Sequence, residues 1–189
     1  MLRSVAAVVA VCSMLVLTGC QGTTSVAPTP VQSSDLTSSD GGFDQHAVVG
    51  VVLVSAAATP GPSSGGVALP DRFERDLSAA GFDPDVRVAG AADPAGDQRA
   101  ALRALVRAGA KVLLVEAADP SALSGELQVA HDAGAVVVAL GDPLPASGTG
   151  GDGVSADYRV QGTDSDAALV GRSVAVVESL QRGEKPTTR

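Results

Sequence analysis

The chain has 189 residues, 18% of them charged and 2% aromatic, with a formal net charge of −8 at pH 7. That length allows one domain with a real core after a leader. The acidic balance, without a run of Lys or Arg, argues against nucleic-acid binding and against docking on an anionic lipid surface.

Leu2 and Arg3 make a short positive start, and Val5 to Leu17 is an apolar run of signal-peptide length, too short for a spanning helix. Small Thr18 and Gly19 then stand directly before Cys20. Leu17-Thr18-Gly19-Cys20 resembles the lipobox of bacterial lipoproteins, in which the cysteine receives a diacylglyceryl group and becomes the first residue. The resemblance implies a leader over residues 1–19, lipidation of Cys20, and an envelope protein anchored to the outer face of the plasma membrane. Two acyl chains, at about 0.8 kcal/mol per buried CH₂, anchor stably where one does not. The plainer reading is a secretory leader with a chance cysteine. Cleavage after residue 19 removes Cys12 and Arg3, which moves the net charge from −8 to −9. With Cys20 lipidated, no thiol remains for a disulfide or a cysteine metal site.

Residues 20–46 read as a disordered tether. Gln21 to His46 is rich in Ser, Thr, Pro, Gly and Asp and has no hydrophobic period, so it buries too little to offset its ordering entropy. The folded lobe is expected over residues 47–182, with a short tail at 183–189.

Ala47 to Val54 is a continuous apolar run, which suits a strand covered on both faces. Thr59 to Gly66 is a Pro/Gly/Ser loop. Phe73, Leu77 and Ala80 fall at helical spacing and predict a helix over Asp71 to Ala80, stopped by Gly81. Val86 to Val88 is a short strand. Asp93 with Pro94 predicts a capped helix to Ala108, with Leu102, Leu105 and Val106 inward and Gly109 as its stop. Lys111 to Val115 is a buried strand. Asp119-Pro120 repeats the cap for a helix from Ser121 to Gly134. Strands follow at Ala135 to Leu140 and Tyr158 to Gln161. Asp164 or Ser165 caps a last helix, with Leu169, Val170, Val174, Val177 and Leu180 on one side.

This alternation predicts an α/β fold in three layers, a parallel sheet flanked by helices. Ligands of such sheets bind beyond the C-terminal strand edge, at a topological switch point. The loops there are Ser55–Leu69, Ala89–Asp93, Glu116–Asp119 and Gly141–Gly153.

Several segments, in order, resemble the N-terminal lobe of type 1 periplasmic sugar-binding proteins of the ribose- and xylose-binding kind. They are Asp71 to Asp76, Ala91 to Gln98, Leu105 to Val115 and Ala130 to Leu140. The resemblance implies two lobes closing on a sugar, with an ABC permease as partner. The sequence matches the N-terminal lobe only, so the expectation is a chain truncated to that lobe, with half of a split protein whose second lobe is separately encoded, or a lobe used for another purpose, as the alternatives.

The family also implies site residues. Arg72-Phe73 matches an Arg-Trp pair that begins the first helix, where Arg donates to sugar hydroxyls and the ring stacks on a sugar face. A solvated Arg72 and a core Phe73 are the alternative. Apart from the family match, Glu116 opens the loop after the third strand, and weak sugar contacts are expected near Arg72, Glu116 and Asp142. Asp119 matches a polar ligand position and equally serves as a helix cap. Gly141-Asp142 stands where the family has Asp-Arg, so the bidentate guanidinium is missing. Asp142, before Pro143, also reads as a turn residue. Asp166-Ala167 stands where the family has Asp-Asn.

Other motifs carry little. Gly61-Pro62-Ser63-Ser64-Gly65 matches G-x-S-x-G but lacks the strand-to-helix elbow that exposes a nucleophile. Of the two histidines, His46 lies in the tether and His131 within a helix, with a surface position as default. Gly148 to Gly153 matches G-x-G-x-x-G but precedes a strand, not a helix. Acidic residues show no metal-ligand spacing. The expectation is a non-catalytic, cofactor-free, sugar-type solute-binding lipoprotein of an ABC importer. The alternative is an envelope module with a degenerate sugar site that acts through a protein partner.

Overall fold

The computed structural model describes residues 42–55, 67–141, 144, 155–162 and 165–186. The leader, Cys20, the tether up to residue 41, the loop motifs at 61–65 and 148–153, Asp142 and Asp164 lie outside the described residues.

Five strands form one sheet: β1 (Val48–Val54), β2 (Asp83–Ala89), β3 (Val112–Val115), β4 (Val136–Leu140) and β5 (Tyr158–Val160). Their order is β2-β1-β3-β4-β5, and every pairing is parallel. Helix α1 (Leu69–Ala79) follows β1, α2 (Pro94–Arg107) follows β2, α3 (Ser124–Asp132) follows β3, and α4 (Asp166–Gln181) follows β5.

Alternation along the strands sorts the core into two clusters. Val49, Val51 and Leu53 of β1, with Val112 and Leu114 of β3, pack with Phe73 and Leu77 of α1 and Val170, Val177 and Leu180 of α4. Val52, Leu113 and Val115 point the other way, toward Leu102 and Leu105 of α2 and Leu127 of α3. The sheet is therefore covered on both faces, as unbroken apolar strands require. Gly50 lets α2 come close: a Cβ there would stand 2.7 Å from Leu105 Cδ1 and 2.8 Å from Leu113 Cδ2.

The local signals act as expected at most helix ends. The Asp93 carboxylate accepts from Gly96 N at 2.9 Å, with Pro94 in the first turn. Ser165 caps α4 through Ala168 N at 3.3 Å. Gly81 and Gly109, at φ +91° and +81°, follow the ends of α1 and α2 in the left-handed region that favours glycine.

Other boundaries differ from expectation for physical reasons. Helix α1 starts at Leu69, because Pro70 is tolerated in a first turn whose N–H would be unpaired anyway. Strand β2 is seven residues long and includes Pro84, since it is an edge strand whose outer side pairs with nothing in the sheet. The third helical segment opens as a 3₁₀ turn, Ser121–Leu123, closed by Leu123 N donating to Pro120 O. On α4, Val176 and Ser173 are buried as well, while Leu169 and Val174 are only partly so. Upstream of Ala47, Phe43 packs on the core with its ring centroid 6.1 Å from that of Phe82, and His46 N donates to Gly81 O. The packed chain thus reaches back into the segment read as tether.

Candidate functional site

In a parallel sheet every strand points the same way, so the C-terminal ends of β1, β2, β3, β4 and β5 gather at one edge. The chain runs from β1 outward to β2, then returns past β1 to β3, which places the switch point between the ends of β1 and β3.

Glu116 stands at that point. Its N–H donates to Val52 O at 2.9 Å, continuing the β1–β3 ladder by one bond beyond Val115. Its Oε2 accepts from Val54 N at 3.1 Å, and the side chain is half-buried. The carboxylate thus pairs the last donor of β1 where β3 has run out of backbone. Among the described residues its other oxygen carries no hydrogen bond.

Asp119 lies three residues on, in the same loop. Its Oδ1 accepts from Ser121 Oγ at 2.6 Å, Ser121 N at 3.0 Å and Ala122 N at 3.3 Å. The Ser121 hydroxyl, more than the Ala122 amide, holds the Asp119 carboxyl below the usual carboxylate range. The folded-state value is lowered, so this cap is in place above the ordinary carboxylate range and is lost as pH falls through the lowered value. Of its two readings, ligand and cap, the cap is the one the hydrogen bonds describe.

Arg72 sits in the first turn of α1, half-buried, with Nε donating to Val67 O at 2.8 Å. Asp166 is exposed in the first turn of α4, beside the Ser165 cap. Topology brings Arg72, Glu116, Asp119 and Asp166 to the same edge. Phe73 is different. It is 0% exposed and belongs to the cluster between α1 and the sheet. The stacking role is corrected accordingly: the ring offers no face to a ligand, because position 73 turns inward with Leu77 one turn later.

Two polar residues of α2 escaped the sequence reading. Gln98 is fully buried; its Nε2 donates to Glu116 O and its Oε1 accepts from Ala118 N at 3.0 Å. Asp97 Oδ2 accepts from Gly90 N at 2.8 Å. A signal for Gln98 existed: positions 98, 102 and 105 share one helix face, so a polar side chain there must find partners inside.

His131 lies within α3, as expected, but only partly at the surface: its side chain is 21% exposed, and Nε2 lies 3.3 Å from Asp157 Oδ2, which accepts from Val137 N at 2.8 Å. Asp157 precedes β5 and Val137 lies near the start of β4, so this pair marks the opposite, N-terminal edge of the sheet. No three His, Cys, Asp or Glu among the described residues are placed to hold a metal ion. No helix among them is long and apolar enough to cross a membrane.

A parallel sheet in this order, with helices on both faces, is a doubly wound α/β fold. No family model and no curated protein matches the sequence. Among solved structures, an ABC transporter solute-binding protein from Clostridium phytofermentas with bound L-rhamnose is 18% identical with a TM-score of 0.50, covering 65% of this chain and 34% of that one. One from Clostridium phytofermentans with bound β-D-glucose is 18% identical with a TM-score of 0.48, covering 60% and 31%. A carbohydrate transporter solute-binding protein from Chloroflexus aurantiacus in complex with D-glucose is 21% identical with a TM-score of 0.45, covering 60% and 29%. The chain thus spans 29–34% of the length of these proteins. The first of them shows the shared fold.

Proposed function

We propose that this chain is a lipid-anchored, non-catalytic lobe of a sugar-type solute-binding protein that serves an ABC importer. The observation that carries the reading is the switch point itself, with the half-buried Glu116 carboxylate just past β3 and with Arg72 and Asp166 in first helical turns at the same edge. A carboxylate and a guanidinium there suit the hydroxyls of a monosaccharide. His131, the one histidine within the helices, lies at the other edge, away from this chemistry. The partners are a permease and a second wall, from another lobe or a separate polypeptide. Nucleic acid is not among them.

The described residues supply one wall of a cleft. A sugar held on one face stays in water on the other, where each hydrogen bond replaces one to solvent and nets about 1 kcal/mol. A few such contacts, less the entropy of association, give about millimolar affinity. Calorimetry with ribose, xylose, arabinose, glucose and galactose at micromolar protein is expected to show no heat of binding. A micromolar dissociation constant for any of them would overturn the one-wall reading.

Anchoring rests on Leu17 to Cys20. The exported protein is expected to enter the detergent phase on partition, and Cys20→Ala to stay in the aqueous phase or remain unprocessed. Mass spectrometry finding an unmodified Cys20 in the wild type would sink the anchor.

A second reading gains from the loss of Phe73 to the core and of Asp119 to its cap: an envelope module whose sugar site is degenerate and which acts through a protein partner. The two separate at millimolar sugar, where the first expects nuclear magnetic resonance signals of Arg72 and Glu116 to move and the second expects them to stay.

A further inference from the structure

The N-terminal end of α2 reaches two strand ends, and Glu116 links them to a third. Asp97 takes the Gly90 N–H, just past β2. Gln98 takes the Ala118 N–H and gives its amide proton to Glu116 O, just past β3. Glu116, through its carboxylate, takes the Val54 N–H at the end of β1. Each of these contacts satisfies a backbone group that the sheet ladder no longer serves. The Gln98 side chain is fully buried, so neither of its bonds can be exchanged for one to water without opening the loop.

We propose that Gln98 is the positioning residue of the switch-point crevice: it acts through Glu116, fixing that residue's backbone so that its carboxylate closes β1 with one oxygen and presents the other to a ligand. The inference rests on the reading of this edge as a ligand site, but its mechanical part stands apart from any sugar. Glu116 is bonded to β1 by its own N–H and, through its carboxylate, by Val54 N; Gln98 holds the carbonyl between the loop and the helix. With the Gln98 donor removed, the peptide after Glu116 is released to rotate and the carboxylate loses its fixed origin. Packing alone would need a side chain of this volume at position 98; positioning needs the amide.

Residue-resolved hydrogen exchange on the full chain tests this. Gln98→Met keeps the length and volume and loses both hydrogen bonds. The expected result is about tenfold or faster exchange at both Ala118 and Val54, relative to the Leu114 amide in the middle of the sheet. Faster exchange at Ala118 with Val54 unchanged would overturn the proposal, because Gln98 would then hold only its own loop. If Gln98→Met does not fold, the wild type decides: Val54 and Ala118 are expected to open as one unit with the same denaturant dependence, and separate opening overturns the proposal. Glu116→Gln, which keeps an acceptor for Val54 N, is expected to retain Val54 protection, and its loss would equally count against the proposal. D-glucose or D-xylose at millimolar concentration forms a separate arm. If neither moves the Glu116 signals while the exchange results hold, the positioning role stands and the sugar reading falls.

Discussion

Val51→Asp is expected to unfold the domain. Val51 is 0% exposed in the middle of β1, and its backbone lies between Val86 of β2 and Leu114 of β3. Its side chain enters the cluster formed with α1 and α4. The apolar members of that cluster cannot pair a carboxylate, and a buried charge without a partner costs about 3–5 kcal/mol. Whole domains are stable by only about 5–15 kcal/mol. Thermal melts followed by circular dichroism are expected to show a collapsed transition or none. A melting temperature within a few degrees of wild type would mean that residue 51 does not face this core.

Phe73→Ala is expected to have the next largest effect, and it separates the two readings of that ring. In the core, losing the ring removes its burial energy and leaves a cavity beside Leu77, at a cost of about 3–5 kcal/mol. Any weak response of Arg72 and Glu116 to millimolar sugar is expected to survive in the folded fraction. If the ring instead stacked on a ligand, stability would change by about 0.5 kcal/mol or less, as for other surface substitutions, and the sugar response would vanish. Chemical denaturation together with a sugar titration of the same variant distinguishes these outcomes.

The contrast between Phe73 and Arg72 shows how far a linear pattern reaches. Both stand in one dipeptide that matches one family motif. The helical period places residue 73 with Leu77 on a single face, and that period is legible without any structure. Which face meets the sheet is not, because it depends on where the sheet lies.

The sequence by itself determined the elements and their kind. Continuous Val, Leu and Ala runs specify strands covered on both faces. Asp93-Pro94 and Ser165 start helices by supplying acceptors for free N–H groups. Gly81 and Gly109 end them by adopting a left-handed turn. From that alternation the parallel, three-layer architecture follows, since parallel strands need crossovers and helices provide them. These are local preferences, set by a residue and its neighbours within a turn or two.

Tertiary structure alone decided the pairings that join distant parts of the chain. Pro84 and three Asp or Arg neighbours disfavour a strand in isolation, yet β1 draws Asp83 to Ala89 into its ladder. Gln98 meets Glu116 and Ala118 only because α2, packed over β1 and β2, brings its N-terminal end to the segment that follows β3. Glu116 becomes the closing acceptor for Val54, 62 positions away, only because β3 ends two residues before β1 does, a matter of register between the two strands. Such contacts depend on how helices and strands dock, and docking is governed by the fit of whole apolar faces rather than by any one residue's preference.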